Sequence, residues 1–164
     1  MGIPIDIVGG PNKSRIKLTY RGVFDHGKVY RDMVNWFKEH HYFFSEKIHV
    51  EMVKATGKEH VLNFSGTREV DDYVKYSIDV EIWTLRERNI DKKLVNGEIQ
   101  IRIKGAMELD YKNKFSGKLG PVIRSFYHKY IIKKRIWTKY AGGIYEETND
   151  LIRNFKSNLG LITT

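Results

Sequence analysis

Two stretches of strict alternation constrain this chain more than any other feature. From Val74 to Ile82, Val74, Tyr76, Ile78, Val80 and Ile82 alternate with Lys75, Ser77, Asp79 and Glu81. From Glu98 to Tyr111, Ile99, Ile101, Ile103, Gly105, Met107, Leu109 and Tyr111 alternate with Glu98, Gln100, Arg102, Lys104 and Glu108. Successive side chains of a strand point to opposite faces, so each run is a strand with one buried and one wet face. The wet faces also specify a register. Pairing residues whose numbers sum to 183 sets Glu81 against Arg102, Asp79 against Lys104 and Lys75 against Glu108, with Ile82 on Ile101 and Val80 on Ile103. Each opposed pair contributes only ~0.2–1 kcal/mol, but all three select one antiparallel hairpin. Its loop is expected over roughly 87–96, long and charged.

The remaining chain supplies further strands and flanking helices. Ser14–Tyr20 reads as a strand. Asp25 is the expected N-cap of a helix over 26–40, on which Val29, Met33, Trp36, Phe37 and His40 recur at helical spacing. Tyr42–Val53 and Glu59–Glu69 read as strands around a turn at Thr56-Gly57. Beyond Tyr111, Pro121 suits a first helical position, and a helix is expected to run to about Tyr140 with Ile123, Phe126, Tyr127, Tyr130 and Trp137 on its inner face. Gly142-Gly143 is expected to break it. A last helix carries Ile144, Thr148, Leu151, Ile152, Phe155 and Leu159 inward. The order β-α-β-β-β-β-α-α predicts an α+β fold, an antiparallel meander with helices packed on one face. Residues 1–12, with the breaker Gly9-Gly10-Pro11, read as a flexible or exchanged arm, and 13–164 as a single domain.

The composition excludes several classes. With 164 residues the chain can bury a core unaided, and without cysteine it has no disulfide or thiolate chemistry. No apolar run is long enough to span a bilayer, no signal peptide is evident, and a cytoplasmic location is expected. No nucleophile elbow is present. The run Val8 to Ser14 lacks the glycine spacing of a phosphate-cradling loop. The six histidines (His26, His40, His41, His49, His60 and His128) contain no pair at zincin spacing and read as surface or partly buried side chains; no metal or cofactor is expected. These absences point to a non-enzymatic protein.

The charge is unevenly distributed. Lys and Arg outnumber Asp and Glu by 29 to 20, and the segment 112–140 holds nine of the basic residues and none of the acidic ones. The rest of the chain is therefore neutral. In this segment Arg124, His128, Arg135 and Lys139 are expected to line an outward stripe, Lys129 and Lys133 to flank the apolar face on its other side, and Lys118 and Lys134 to add to the basic surface. Such a surface suits phosphate, with Tyr127 and Trp137 as stacking residues for unpaired bases. Arg15, Lys17 and Arg21 would extend it. The expected partner is RNA or a ribonucleoprotein particle such as the ribosome, with an anionic membrane surface as a lesser alternative. Two other functions remain open: a self-assembling scaffold, or homo-oligomer, built through sheet edges and the N-terminal arm, and a START-like cup for a small ligand.

The stretches Asp72-Tyr73-Val74-Lys75-Tyr76, Gly105–Tyr111 and Phe126–Lys134 resemble a group of small archaeal proteins without an assigned activity. The resemblance implies an archaeal, cytosolic origin and carries no ligand or site residues. The Lys/Glu/Ile-rich composition and the single glutamine, Gln100, agree with such an origin.

Overall fold

A six-stranded antiparallel sheet organises the computed structural model, which describes residues 2–9 and 15–161. The elements are β1 (Ile3–Val8), β2 (Ile16–Asp25), α1 (His26–Glu39), β3 (Phe43–Lys54), β4 (Gly57–Glu69), β5 (Val74–Asn89) and β6 (Leu94–Leu109). A long helical segment follows: α2 (Gly120–Phe126), a π-helical stretch (Tyr127–Ile132), α3 (Lys133–Arg135), a second π-helical stretch (Ile136–Ala141) and α4 (Gly142–Asn158). The strand order is β1-β6-β5-β4-β3, and β2 also pairs with β6. This is the expected α+β meander.

The β5–β6 register is the one that the charges specify: Lys75, Asp79, Val80, Glu81 and Ile82 face Glu108, Lys104, Ile103, Arg102 and Ile101. The charges, however, find other partners. Glu81 takes Arg15, Lys104 takes Asp6 at 2.8 Å, and Arg102 lies over the ring of Trp83. The strands also run further than expected, so the connection shortens to residues 90–93, where the Asp91 carboxylate accepts from the amides of Lys93 and Leu94.

Residues 3–8, read as part of an arm, form an edge strand on the same chain. Ile3–Val8 pairs with Leu109–Gly105, and Ile16–Asp25 with Ile103–Leu94, so β1 and β2 lie end to end along β6. Ile3, Ile5 and Ile7 pack against the core, which gives the arm a reason to stay. The run Val8 to Ser14 and the boundary at 12/13 fall largely outside the described residues.

The inward residues of β5 and β6 meet Val29, Met33, Trp36 and Phe37 of α1 and Ile144, Leu151, Ile152 and Phe155 of α4. The Asp25 carboxylate accepts from the Lys28 amide at 2.9 Å, the expected N-cap. Polar contacts fasten α4: Trp36 Nε1 donates to Asp150 at 2.8 Å, Tyr42 to Glu147 at 2.5 Å, and Arg68 pairs with Glu147. Gly142-Gly143 does not break the helix, as both residues are helical. Gly143 instead permits a close approach, since a Cβ there would lie 2.7 Å from the Tyr76 hydroxyl.

Candidate functional site

The basic segment faces the domain with a period of four rather than 3.6 residues. Gly120, Arg124, His128, Ile132, Ile136, Tyr140, Ile144 and Thr148 are the buried or half-buried positions of one continuous row. Four residues of α-helix advance ~400°, about 40° beyond a full turn, so such a row would drift around an ordinary helix. The two π-helical stretches, wider per turn, rotate it back and keep it on the domain.

Polar contacts anchor this row. Arg124 Nη1 lies 3.6 Å from Asp110 Oδ2, His128 hydrogen-bonds the Tyr73 hydroxyl, and Tyr140 donates to Asp71 Oδ2 at 2.5 Å. Burial, followed by the Arg124 charge, holds the His128 pKa below its usual value. Burial and Asp71 push Tyr140 up to about 12. Burial alone would raise Asp71, but hydrogen bonds from Tyr140 and from the amides of Tyr73 and Val74 bring it below the usual carboxylate range.

The four-residue period turns the expected apolar face outward. Ile123, Phe126, Tyr130 and Trp137 are exposed, correcting the face assigned on a period of 3.6, and Leu119, Val122 and Ile131 join them. Phe126 and Tyr130 pack one turn apart with tilted rings, their centroids 4.9 Å from each other. Arg124 and His128, expected on the outward stripe, are instead held against the domain. Tyr127 is half-buried between Tyr73 and Phe115, so of the two expected stacking residues only Trp137 presents its ring to solvent.

The charges divide in the same way. Lys112 and Lys114 pair with Asp72, and Arg124 with Asp110. Lys118, Lys129, Lys133, Lys134, Arg135 and Lys139 are exposed and have no ion-pair partner among the described residues. The outward surface is thus apolar over residues 119–131 and cationic over 133–139, with Lys118 and Lys129 at its margins. Arg15 and Arg21 do not extend it, being paired with Glu81 and Glu98 on the sheet.

A second constellation lies at the end of the sheet where α1 begins. His26 from the first turn of α1, His60 of β4 and Glu87 of β5 bring one donor atom each within 4.8 Å of one another. His60 Nδ1 is 3.1 Å from Glu87 Oε2, and its Nε2 is 3.4 Å from Glu51 Oε2. Its amide donates to Thr84 Oγ1 at 3.0 Å. The rings of His26 and His60 lie 4.9 Å apart. His26 Nε2 and Glu87 Oε1 are buried without a hydrogen-bond partner.

A β-bulge explains how Glu87 comes to face inward. Even-numbered residues of β5 point to the core as far as Thr84; pairing slips between Leu85 and Arg88, and Arg86 takes a left-handed φ of 56°. Parity then reverses and Glu87 is buried, the re-aiming of a side chain that bulges perform. Glycines flank the bulge on both neighbouring strands. A Cβ on Gly57 would lie 2.7 Å from the Glu87 carbonyl oxygen, and one on Gly97 3.0 Å from that of Leu85. Inspection of histidine spacing missed this cluster because its members come from three elements. The sequence signal was Glu87, an acid beyond the end of a regular alternation, with Gly57 and Gly97 placed across from it.

No protein-family model, curated protein or solved structure matches this chain.

Proposed function

We propose that the helical segment 118–139 docks the protein on an anionic membrane surface, without enzymatic activity of its own. The observation that carries this reading is the composition of the outward face: Leu119, Val122, Ile123, Phe126, Tyr130 and Ile131 exposed together, followed by Lys133, Lys134, Arg135 and Lys139. Apolar side chains on one stretch enter the headgroup–acyl boundary, while lysine and arginine beside them are each worth about 1 kcal/mol near an anionic leaflet. RNA, the partner expected from charge alone, gives the aromatic rings and cations a role but leaves the aliphatic Leu119, Val122, Ile123 and Ile131 in water. Two copies meeting through this face would bring like charges together. No described helix is long and apolar enough to cross a membrane.

Co-sedimentation with vesicles tests the proposal. Binding to phosphatidylserine-containing vesicles, absent with phosphatidylcholine alone and weakened by salt, is the expected result. Binding to RNA with no binding to anionic vesicles overturns it in favour of the nucleic-acid reading.

A second reading rests on β3, a sheet edge that exposes Phe43, Ile48, Val50, Met52 and Val53. Edges of this kind pair with another chain unless charge or a bulge prevents it, and the irregularity of β3 between Glu46 and Ile48 leaves Ile48–Val53 regular. A homodimer through β3, removed by Val50→Lys in sedimentation analysis, would support it. A START-like cup gains no comparable support: Ile144, Leu151 and Phe155 of α4 and Met33 and Phe37 of α1, all fully buried, fill the space against the sheet.

A further inference from the structure

We propose that His26, His60 and Glu87 form a binding site for a divalent transition-metal ion of the zinc type, with a coordination position open to a cationic cleft. The inference is independent of membrane docking, since the site lies where β2 leads into α1 and contains no residue of the segment 118–139.

Three observations carry it. The donors converge from α1, β4 and β5 to within 4.8 Å, close enough for one ion to draw them together. One polar atom on each of two of these side chains, His26 Nε2 and Glu87 Oε1, is buried with no hydrogen-bond partner, and Glu87 is only 5% exposed. A carboxylate oxygen and an imidazole nitrogen left unpaired in the interior are unfavourable, and a cation between them satisfies both. Finally, the backbone is shaped to produce this arrangement: the bulge at Arg86 turns Glu87 inward, and Gly57 and Gly97 leave room for it.

The donor set identifies the ion. Two imidazoles and one carboxylate suit zinc and its first-row neighbours, whereas calcium and magnesium require oxygen ligands. The outer contacts match as well. With Nδ1 of His60 turned toward Glu87, its Nε2 faces the Glu51 carboxylate, the outer carboxylate that commonly orients a metal-bound histidine. Glu51 is itself held by Lys58 at 3.0 Å. Three protein ligands leave a coordination position for an exogenous group. The cleft beside the cluster, about 450 Å³, is lined by Arg31, Lys58, Lys92 and Lys93 against a single carboxylate, Asp25, besides Glu87 itself, so the group favoured there is an anion.

A purely structural role for the His60–Glu87 contact makes a different prediction, because His26 takes no part in that contact. Chelator-treated protein is titrated with Zn²⁺ by calorimetry and with Co²⁺ by visible absorption. One ion per chain is expected, with a Co²⁺ spectrum that changes on addition of inorganic phosphate. His26→Gln and Glu87→Gln should each abolish the saturable binding and the rise in thermal midpoint that Zn²⁺ confers. Glu51→Gln should weaken binding roughly 10–100-fold, and the remote His41→Gln should leave it unchanged. Circular dichroism of the metal-free variants checks that they fold; should Glu87→Gln fail to, His26→Gln at the start of α1 decides. Absence of saturable Zn²⁺ binding, or affinity unchanged in His26→Gln, overturns the proposal.

Discussion

Tyr76 donates its hydroxyl to the main-chain carbonyl of Tyr140 at 2.7 Å, where the second π-helical stretch meets α4. The contact ties the least regular part of the helix to the regular, N-terminal half of β5. A π-helical turn disturbs the usual backbone pairing, and the Tyr76 hydroxyl supplies a partner from the sheet. The Tyr140 side chain reaches the other way to Asp71, so one residue fixes both the axial position and the rotation of the segment.

Tyr140→Phe removes the hydrogen bond to Asp71 while keeping the buried ring. Hydrogen bonds to charged groups contribute ~1.5–3 kcal/mol, and a loss in that range is expected in urea unfolding. An unchanged midpoint would mean that Ile132 and Ile136 alone hold the segment in place.

Gly57→Ala tests the bulge. Gly57 has a φ of 132°, and an added Cβ would meet main-chain atoms of Arg86 and Glu87. Both strain and collision oppose the side chain, so destabilisation of about 1 kcal/mol or more is expected. Wild-type stability in this variant would show that the strands separate there at little cost.

Acid should destabilise the fold as His26 and His128 take up protons. Burial, and for His128 also the Arg124 charge, lowers the pKa of His26 and His128 in the folded state. His128 faces Tyr73, with Arg124 and Asp110 beside it. Both histidines bind a proton more readily when unfolded, so stability is full above the unfolded value of about 6.5 and is lost as pH falls from there toward the folded values. In chelator, the unfolding midpoint should decline from about pH 7 to pH 5.5, and His128→Gln should reduce the slope. A flat profile in the parent protein would contradict this.

Lys133→Glu, Lys134→Glu and Arg135→Glu together should leave the fold intact, because all three side chains are exposed and have no ion-pair partner among the described residues. Vesicle binding should be lost while the thermal midpoint stays within a few degrees of the parent. Retained binding would place the docking surface elsewhere.

The sheet was legible because its signals have short range. Alternation in β5 and β6 depends on the fixed period of a strand, and the opposed charges were enough to choose a register. The helical face was not legible for a related reason. Ile123, Phe126 and Trp137 look inward on a period of 3.6, and only the π-helical turns, with Ile132, Ile136 and Tyr140 as their inner residues, establish a period of four. Such turns have no residue signature comparable to a cap or a glycine stop. The His26–His60–Glu87 cluster was hidden by distance along the chain: the regular part of β5 is readable residue by residue, but the bulge that reverses its parity depends on Gly57 and Gly97 in neighbouring strands.

The most direct test of membrane docking uses the chain's lack of cysteine, which makes any introduced one a unique label. Val122→Cys, at an exposed apolar position, is coupled to an environment-sensitive fluorophore and mixed with phosphatidylserine-containing vesicles, with Lys92→Cys at the far end of the sheet as control. Docking through this face gives enhanced, blue-shifted emission at position 122 and none at position 92, reversed by high salt. Emission at 122 that stays that of a water-exposed probe at saturating anionic lipid would contradict it.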